Sequence, residues 1–125
     1  MAEMKIAIAE DNRQALDMLG NILESDKEIQ VVGKAENGTD AYNMIVKTKP
    51  DIVFLDVVMP GMDGFEVLRK RQRSEIFKNI PVIVLTMSDM KEDQELAEQL
   101  GADGFLLKPV NPKDAHFRIR QVLGE

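Results

Sequence analysis

The chain has 125 residues, no cysteine and a formal net charge of −6. This length suits a single domain with its own core, and the lack of cysteine excludes disulfides and thiolate metal sites. The acidic balance argues against direct binding of a nucleic-acid backbone, and no apolar run approaches the roughly 20 residues of a membrane span. The N-terminus lacks a signal-peptide pattern, so we expect one cytoplasmic domain over residues 1–125, either alone or within a longer protein, that contacts no membrane.

Short apolar runs alternate along the chain with segments in which apolar residues recur at helical spacing. In chain order, the sequence predicts a strand at 5–9, a helix at 12–24, a strand at 30–35, a helix at 40–49, a strand at 51–55, a helix at 64–73, a strand at 81–85, a helix at 92–100, a strand at 105–107 and a helix at 112–123. Pro50 and Gly101 mark helix ends, and Asn111 with Pro112 marks a helix start.

Strict alternation of strands and helices predicts a particular α/β architecture. Because each crossover between parallel strands is right-handed and lies on one face of the sheet, the helices must cover both faces. Strands that are apolar on both sides, such as residues 52–55 and 82–85, fit this burial. We therefore predict a doubly wound, flavodoxin-like domain with a five-stranded parallel sheet in the order 2-1-3-4-5, flanked by five helices.

Polar residues follow four of the predicted strands. Glu10 and Asp11 follow the first strand, Asp56 the third, Thr86 the fourth and Lys108 the fifth. In an open parallel sheet, ligands bind beyond the carboxyl ends of the strands where the strand order reverses. We therefore expect these side chains to converge on one crevice.

Three carboxylates in one crevice repel one another, by roughly 3 kcal/mol for each pair at about 5 Å. A divalent cation removes this cost, and Mg²⁺ prefers one or two carboxylates together with water and phosphate oxygens. The sequence therefore predicts Asp11 and Asp56 as direct Mg²⁺ ligands and Glu10 as a ligand through water. The backbone carbonyl of Val58 could add a further ligand.

Taken singly, each of these residues has an ordinary structural explanation. A carboxylate just before a helix is usually a cap, which is our prediction for Asp63 and an alternative for Glu10 and Asp11. Lys108 alone would be a surface lysine, and Thr86 alone an ordinary strand residue. Complementary groups at several strand ends favour a functional site.

The sequence resembles the receiver domain of bacterial response regulators along essentially its whole length. The motifs that carry the resemblance are AEDN at 9–12, FLDVVMPGMDG at 54–64, VLT at 84–86 and GADGFLLKP at 101–109. The intervals from Asp56 to Thr86 and from Thr86 to Lys108 are also typical of that family.

The resemblance implies a role in two-component signal transduction for each site residue. Asp56 would accept a phosphoryl group from the phosphohistidine of a sensor histidine kinase or a histidine phosphotransfer protein, which is covalent catalysis by a carboxylate. Mg²⁺, the Lys108 ammonium and the Thr86 hydroxyl would each neutralise one phosphate oxygen. The domain would be a phosphorylation-dependent switch and would catalyse only its own phosphorylation and slow dephosphorylation.

The resemblance also implies how the switch would act. Thr86 would move toward the phosphate and the ring of Phe105 would follow, which changes the face formed by the fourth helix, fifth strand and fifth helix and so controls an output partner or domain. A plain core role for Phe105 is the alternative. The Lys108-Pro109 peptide is expected to be cis, as in the family.

Several further positions concern the rate of dephosphorylation and the possible formation of a homodimer. Val58 and Ser88 occupy the positions that tune acyl-phosphate hydrolysis in this family, and because valine cannot orient a water we predict slow dephosphorylation. Arg118 and Arg120 resemble residues of receivers that form phosphorylation-dependent homodimers, although the predicted fourth helix has few basic residues. His116 is predicted to be a surface residue.

Three other functions compete with this interpretation. A Mg²⁺-dependent phosphatase with an aspartate nucleophile would need a second carboxylate at the position of Val58. A flavodoxin-like electron carrier would need a phosphate-binding loop where this chain has Glu10 and Asp11. A degenerate receiver that acts only as an interaction module would keep the fold without phosphorylation.

Overall fold

The computed structural model of the protein describes residues 4–59, 61–87 and 91–124. The strands are β1 (Met4–Ala9), β2 (Ile29–Ala35), β3 (Ile52–Asp56), β4 (Val82–Thr86) and β5 (Gly104–Leu107). The helices are α1 (Arg13–Glu24), α2 (Gly38–Thr48), α3 (Gly64–Arg71), α4 (Lys91–Gln99) and α5 (Pro112–Val122). None of the helices in the described ranges combines the length and the hydropathy that crossing a bilayer requires.

All neighbouring strands of the sheet are parallel, and their order is β2-β1-β3-β4-β5. The predicted fold class, strand order and alternation with five helices are confirmed. The strand order reverses between β1 and β3, where Ala9 pairs with Leu55. The carboxyl ends of these two strands therefore meet at one edge of the sheet.

Hydrophobic cores on the two faces of the sheet explain which helix covers which face. On one face, Leu55 and Val84 of the sheet share a core with α2, α3 and α4, and Phe77 joins them from the segment after α3. On the other face, Phe54 and Leu85 share a core with α1 and α5. Successive side chains of each central strand enter opposite cores, as the pleat of a strand requires.

The observed boundaries depart from the predicted ones by one or two residues, and two departures matter for the site. Asp56 and Thr86 are the last residues of β3 and β4 rather than the first residues after them. Asp56 pairs with Leu85, and Thr86 pairs with Leu107. Strand pairing thereby holds the backbone at both positions. The third helix ends at Arg71, earlier than the predicted residue 73.

Helix caps leave the acidic residues after β1 available for another purpose. The side chain of Asn12 accepts a hydrogen bond from the backbone N–H of Ala15 at 3.0 Å and so caps α1. Neither Glu10 nor Asp11 is therefore the cap of this helix. The predicted cap at Asp63 is present at the start of α3.

Candidate functional site

Three carboxylates meet at the edge where β1 and β3 end. Glu10, Asp11 and Asp56 each offer a carboxylate oxygen, and these oxygens all lie within 4.8 Å of one another. Glu10 and Asp56 are almost fully buried, at 1% and 2% exposure, whereas Asp11 is exposed. The sheet topology accounts for this convergence, because the two strands are adjacent and parallel.

Lys108 brings a positive charge to the same crevice. Its Nζ lies 2.5 Å from Glu10 Oε1 and 2.9 Å from Asp56 Oδ2. The backbone N–H of Lys108 donates to the carbonyl of Thr86 at 2.8 Å, which joins the end of β5 to the end of β4. The peptide bond between Lys108 and Pro109 is cis. The five predicted strand-end residues therefore lie along one edge of the sheet.

The electrostatics of the crevice follow from burial and from these contacts. Burial raises the pKa of Glu10, and a hydrogen bond with Asp56 raises it further, whereas Lys108 and the N–H of Asn12 act in the opposite direction. Burial alone would lower the pKa of Lys108, but its hydrogen bonds to Glu10 and Asp56 outweigh this and raise the pKa. Lys108 is therefore a cation at neutral pH. Its single positive charge cannot balance the charges of three carboxylates in the crevice.

The donor set suits a hard divalent cation. Carboxylate oxygens are the ligands that Mg²⁺ prefers, and the exposed position of Asp11 leaves an open side for water or phosphate oxygens. Val58 lies beside this cluster, and its N–H donates to Asp56 Oδ1 at 3.1 Å. The Val58 side chain is 72% exposed and offers no polar atom to the crevice.

A close approach of α3 supports the backbone around Asp56. The N–H of Gly64 donates to the carbonyl of Val57 at 3.1 Å. A Cβ at Gly64 would collide with the carbonyl oxygen of Asp56 and with the backbone of Val57. Only glycine allows the start of α3 to pack directly against the acceptor strand.

Thr86 and Phe105 lie on neighbouring strands, on the side of the site remote from β1. Thr86 is 3% exposed, and Phe105 is half-buried and packs against the core that α4 covers. Both line an open cavity of about 390 Å³. The other lining residues come from α4, β5 and α5 and are Gln94, Leu106, Leu107, Asp114, Phe117 and Arg118.

A second groove leads away from the carboxylates along α1. It has a volume of about 320 Å³, and Glu10 and Lys108 form part of its wall. The rest is largely apolar and includes Met18 and Met87, which are 60% and 81% exposed. Neither methionine is predicted from the sequence to belong to the site, although Met87 is an apolar residue directly after Thr86.

His116, Arg118 and Arg120, all named from the sequence, lie on α5 and make their described contacts away from the acidic cluster. Ser88 lies outside the described residues. His116 packs on α5, where its Nδ1 lies 2.6 Å from the Pro112 carbonyl oxygen. Arg118 hydrogen-bonds to Gln121 within the same helix, and Arg120 is exposed.

The family model of the response regulator receiver domain matches residues 6–120. The structure is similar to the signal receiver domain of the response regulator NarL from Mycobacterium tuberculosis, with a TM-score of 0.91, 26% identity and complete coverage of both chains. It is also similar to a DNA-binding response regulator of the LuxR family from Staphylococcus aureus, with a TM-score of 0.87, 28% identity, and coverage of 95% of this chain and 98% of that one.

A receiver domain from a different kind of protein shows the same likeness. The signal receiver domain of a signal transduction histidine kinase from Syntrophus aciditrophicus has a TM-score of 0.83 and 30% identity, and the match covers 97% of this chain and 90% of that chain. The family match spans nearly the whole chain, and the acidic cluster and lysine stand at the sheet edge where ligands bind in this fold. The chain belongs to the family of response regulator receiver domains, the signalling switches of two-component systems.

Proposed function

We propose that this receiver domain accepts a phosphoryl group on Asp56 from a phosphohistidine, with the help of Mg²⁺, and changes conformation in response. The observation that carries this proposal is the contact between the buried Asp56 carboxylate and Lys108 at 2.9 Å, beside two further carboxylates. A purely structural role would not need three repelling carboxylates at one sheet edge.

The transfer conserves atoms and charge. One oxygen of Asp56 forms a bond to phosphorus while the phosphorus–nitrogen bond of the phosphohistidine breaks, and the electron pair remains on the imidazole, which takes up a proton. The transition state spreads negative charge over the phosphoryl oxygens, so catalysis consists mainly of positioning and charge neutralisation. In this proposal Lys108 neutralises one of these oxygens, and the Thr86 hydroxyl binds another.

Glu10, Asp11, Asp56 and the Val58 carbonyl would hold the metal ion. When bound, Mg²⁺ supplies positive charge that offsets the carboxylates and polarises the phosphoryl group. Glu10 is the most buried of the three side chains and also holds Lys108, which is consistent with action through water rather than direct ligation.

The groove along α1 suits the docking of the phosphate donor. It begins at the carboxylate cluster, and its apolar wall with Met18 and Met87 fits one side of an amphipathic helix. Methionine side chains adapt to varied partners. We infer that a sensor histidine kinase or a histidine phosphotransfer protein binds here, with its phosphohistidine directed at Asp56, in the cytoplasm.

The signal would leave through the face that α4, β5 and α5 form. Phe105 and Thr86 share the cavity on this face, and Phe117 is 61% exposed nearby. Binding of the phosphoryl group by Thr86 would free space for the Phe105 ring and so alter this face. The output is an effector or a further domain, and a homodimer through the same face stays a prediction.

The proposal is tested by intact mass after incubation with a small acyl-phosphate donor. We expect wild type with Mg²⁺ to gain about 80 Da, the mass of one phosphoryl group, and Asp56→Asn to gain nothing. Asp17→Asn, which removes an exposed carboxylate on α1, is the matched control and should gain the same mass as wild type.

Each alternative function gives a different result in this experiment. A wild-type protein that gains no mass with Mg²⁺ would favour an interaction module without phosphorylation. Rapid multiple turnover with release of phosphate would indicate a phosphatase. Equal mass gain in Asp56→Asn and wild type would place the acceptor elsewhere and overturn the proposal.

A further inference from the structure

Arg71, the last residue of α3, is buried at 8% exposure, which is unusual for arginine. Its Nε and Nη2 donate to the carbonyl of Ile80 at 3.1 and 2.9 Å. Its Nη1 donates to the carbonyl of Gly101 at 2.9 Å, and Nη2 lies 3.3 Å from Asp103 Oδ2. The guanidinium also lies over the ring of Phe77, 5.9 Å from its centroid.

Two hydrogen bonds connect the end of α3 and the residue after it to the two residues that follow α4. Nη1 of Arg71 donates to the carbonyl of Gly101, and the side-chain amide of Gln72 donates to the carbonyl of Leu100 at 2.9 Å. The last turn of α4 contains no basic residue of its own. Arg71 therefore supplies a positive charge close to the partially negative end of this helix.

Gly101 has the geometry that this contact requires. Its φ of +98° lies in the left-handed region that favours glycine, as the residue after a helix often does. A Cβ at this position would lie 3.1 Å from Nη1 of Arg71. The guanidinium and the glycine therefore fit together at the end of α4.

Among the residues that the structure describes, the rest of α4 makes fewer contacts. Ala97 is the one fully buried residue that the structure describes in this helix, and the ion pair between Lys91 and Glu95 is long, at 4.0 Å, and exposed. The other end of α3 packs on the backbone of Asp56 through Gly64. The eight residues of α3, about 12 Å of helix, thus form a rigid connection from the acceptor strand to the C-terminal end of α4.

We propose that Arg71 and Gln72 make the C-terminal end of α4 its fixed end, so that the helix moves at the end that begins with Lys91. Arg71 is a positioning residue in this proposal, since it lies at the opposite end of α3 from the acceptor. The anchoring exists without phosphorylation. The direction of movement rests on the proposed function, because it concerns the response of α4 to phosphorylation.

Hydrogen exchange measured by mass spectrometry tests the anchoring first, in the unphosphorylated protein. The N–H groups of Leu100 and Ala102 bond to the carbonyls of Leu96 and Ala97. Loss of the charged hydrogen bonds in Arg71→Met should speed exchange in residues 100–103 by about tenfold or more. Exchange in β1 and β3 should stay within about twofold of wild type, which a general loss of stability would not allow.

Arg69→Met is the matched control, because it removes an exposed arginine from the same helix turn. It should exchange like wild type in residues 100–103. Gln72→Ala removes only the bond to Leu100 from an exposed position and should give a smaller acceleration in the same segment, which keeps the test open if Arg71→Met does not fold. Unchanged exchange in both Arg71→Met and Gln72→Ala would overturn the anchoring.

A second measurement uses protein whose phosphorylation has been checked by intact mass. In phosphorylated wild type, exchange should change in residues 91–95 and not in 100–103. In phosphorylated Arg71→Met, the change should extend through residue 103. Equal changes in hydrogen exchange at both ends of α4 in wild type would contradict the proposal that its C-terminal end is fixed. A protein that gains no phosphoryl mass contradicts the proposed function instead and leaves the first comparison valid.

Discussion

The Nζ atom of Lys108 lies 2.9 Å from Oδ2 of Asp56, in a crevice where the lysine side chain is 16% exposed and the aspartate 2%. The same ammonium contacts Glu10. At an effective dielectric of about 20, attraction over 2.9 Å amounts to about 6 kcal/mol. Repulsion of Asp56 by two carboxylates within 4.8 Å amounts to at least about 7 kcal/mol. Lys108 therefore offsets a large part of the repulsion at Asp56 in the metal-free protein.

Lys108→Met should therefore destabilise the metal-free protein. The change leaves Glu10 and Asp56 buried without a cation, and breaking such a pair costs about 3–5 kcal/mol in the free energy of unfolding. Urea denaturation in a chelating buffer measures this cost. Lys78→Met, which removes an exposed lysine paired with Glu75, should change the free energy by less than about 0.5 kcal/mol. Equal midpoints for the two variants would show that Lys108 does not compensate the cluster.

Mg²⁺ should stabilise wild type more than Asp56→Asn. At about ten times its dissociation constant, a cation that binds only the folded protein adds about 1.4 kcal/mol. Removal of one carboxylate weakens this binding, so the increase in the melting temperature should shrink in Asp56→Asn and also in Asp11→Asn. Thermal melts with and without Mg²⁺ measure the difference. The control Asp17→Asn should respond like wild type, and an identical response of all four proteins would exclude a metal site at these carboxylates.

Phe105→Trp provides a reporter for the proposed switch, because the chain contains no other tryptophan. Phe105 is half-buried beside Thr86, so inward movement of the ring should shift the emission to shorter wavelength on phosphorylation. When Thr86→Val is added, Asp56 should still be phosphorylated, but the shift in tryptophan emission should disappear. If the emission spectrum stays unchanged in fully phosphorylated protein, residue 105 does not act in the switch and is only a core residue.

Hydrolysis of the acyl phosphate should be slow in wild type and faster in Val58→Glu. The Val58 side chain is 72% exposed beside Asp56 and offers no group to orient a water molecule. A carboxylate there can act as a general base, so we expect the decay rate to rise by about tenfold or more. Intact mass measured over time gives both rates. Ile76→Glu places the same charge on an exposed surface after α3 and should leave the rate unchanged. A wild-type half-life of seconds would contradict the role assigned to Val58.

The convergence of the acidic residues could be predicted from the sequence because it depends on topology alone. Once the strands are parallel and β1 lies beside β3, Glu10, Asp11 and Asp56 must share an edge. The exact ends of the strands could not be predicted, because pairing of Asp56 with Leu85 and of Thr86 with Leu107 extends the strands by one residue.

Arg71 shows what local pattern does not reveal. Arginine is rarely buried, and the carbonyl partners of Arg71 follow it by 9 residues at Ile80 and by 30 residues at Gly101. The helical spacing of the buried residues in α3 does, however, place Arg71 on the buried face. Val67 and Leu68 are fully buried, and the position three to four residues later on the same helix face is occupied by Arg71.

The decisive measurement is the identity of the phosphorylated residue. Borohydride reduces an aspartyl phosphate to homoserine, and tandem mass spectrometry of the digested protein then locates the modified residue. After incubation with an acyl-phosphate donor and Mg²⁺, we expect homoserine at position 56 alone. Homoserine at position 11 or 63, or a phosphorylated protein without any homoserine, would contradict it.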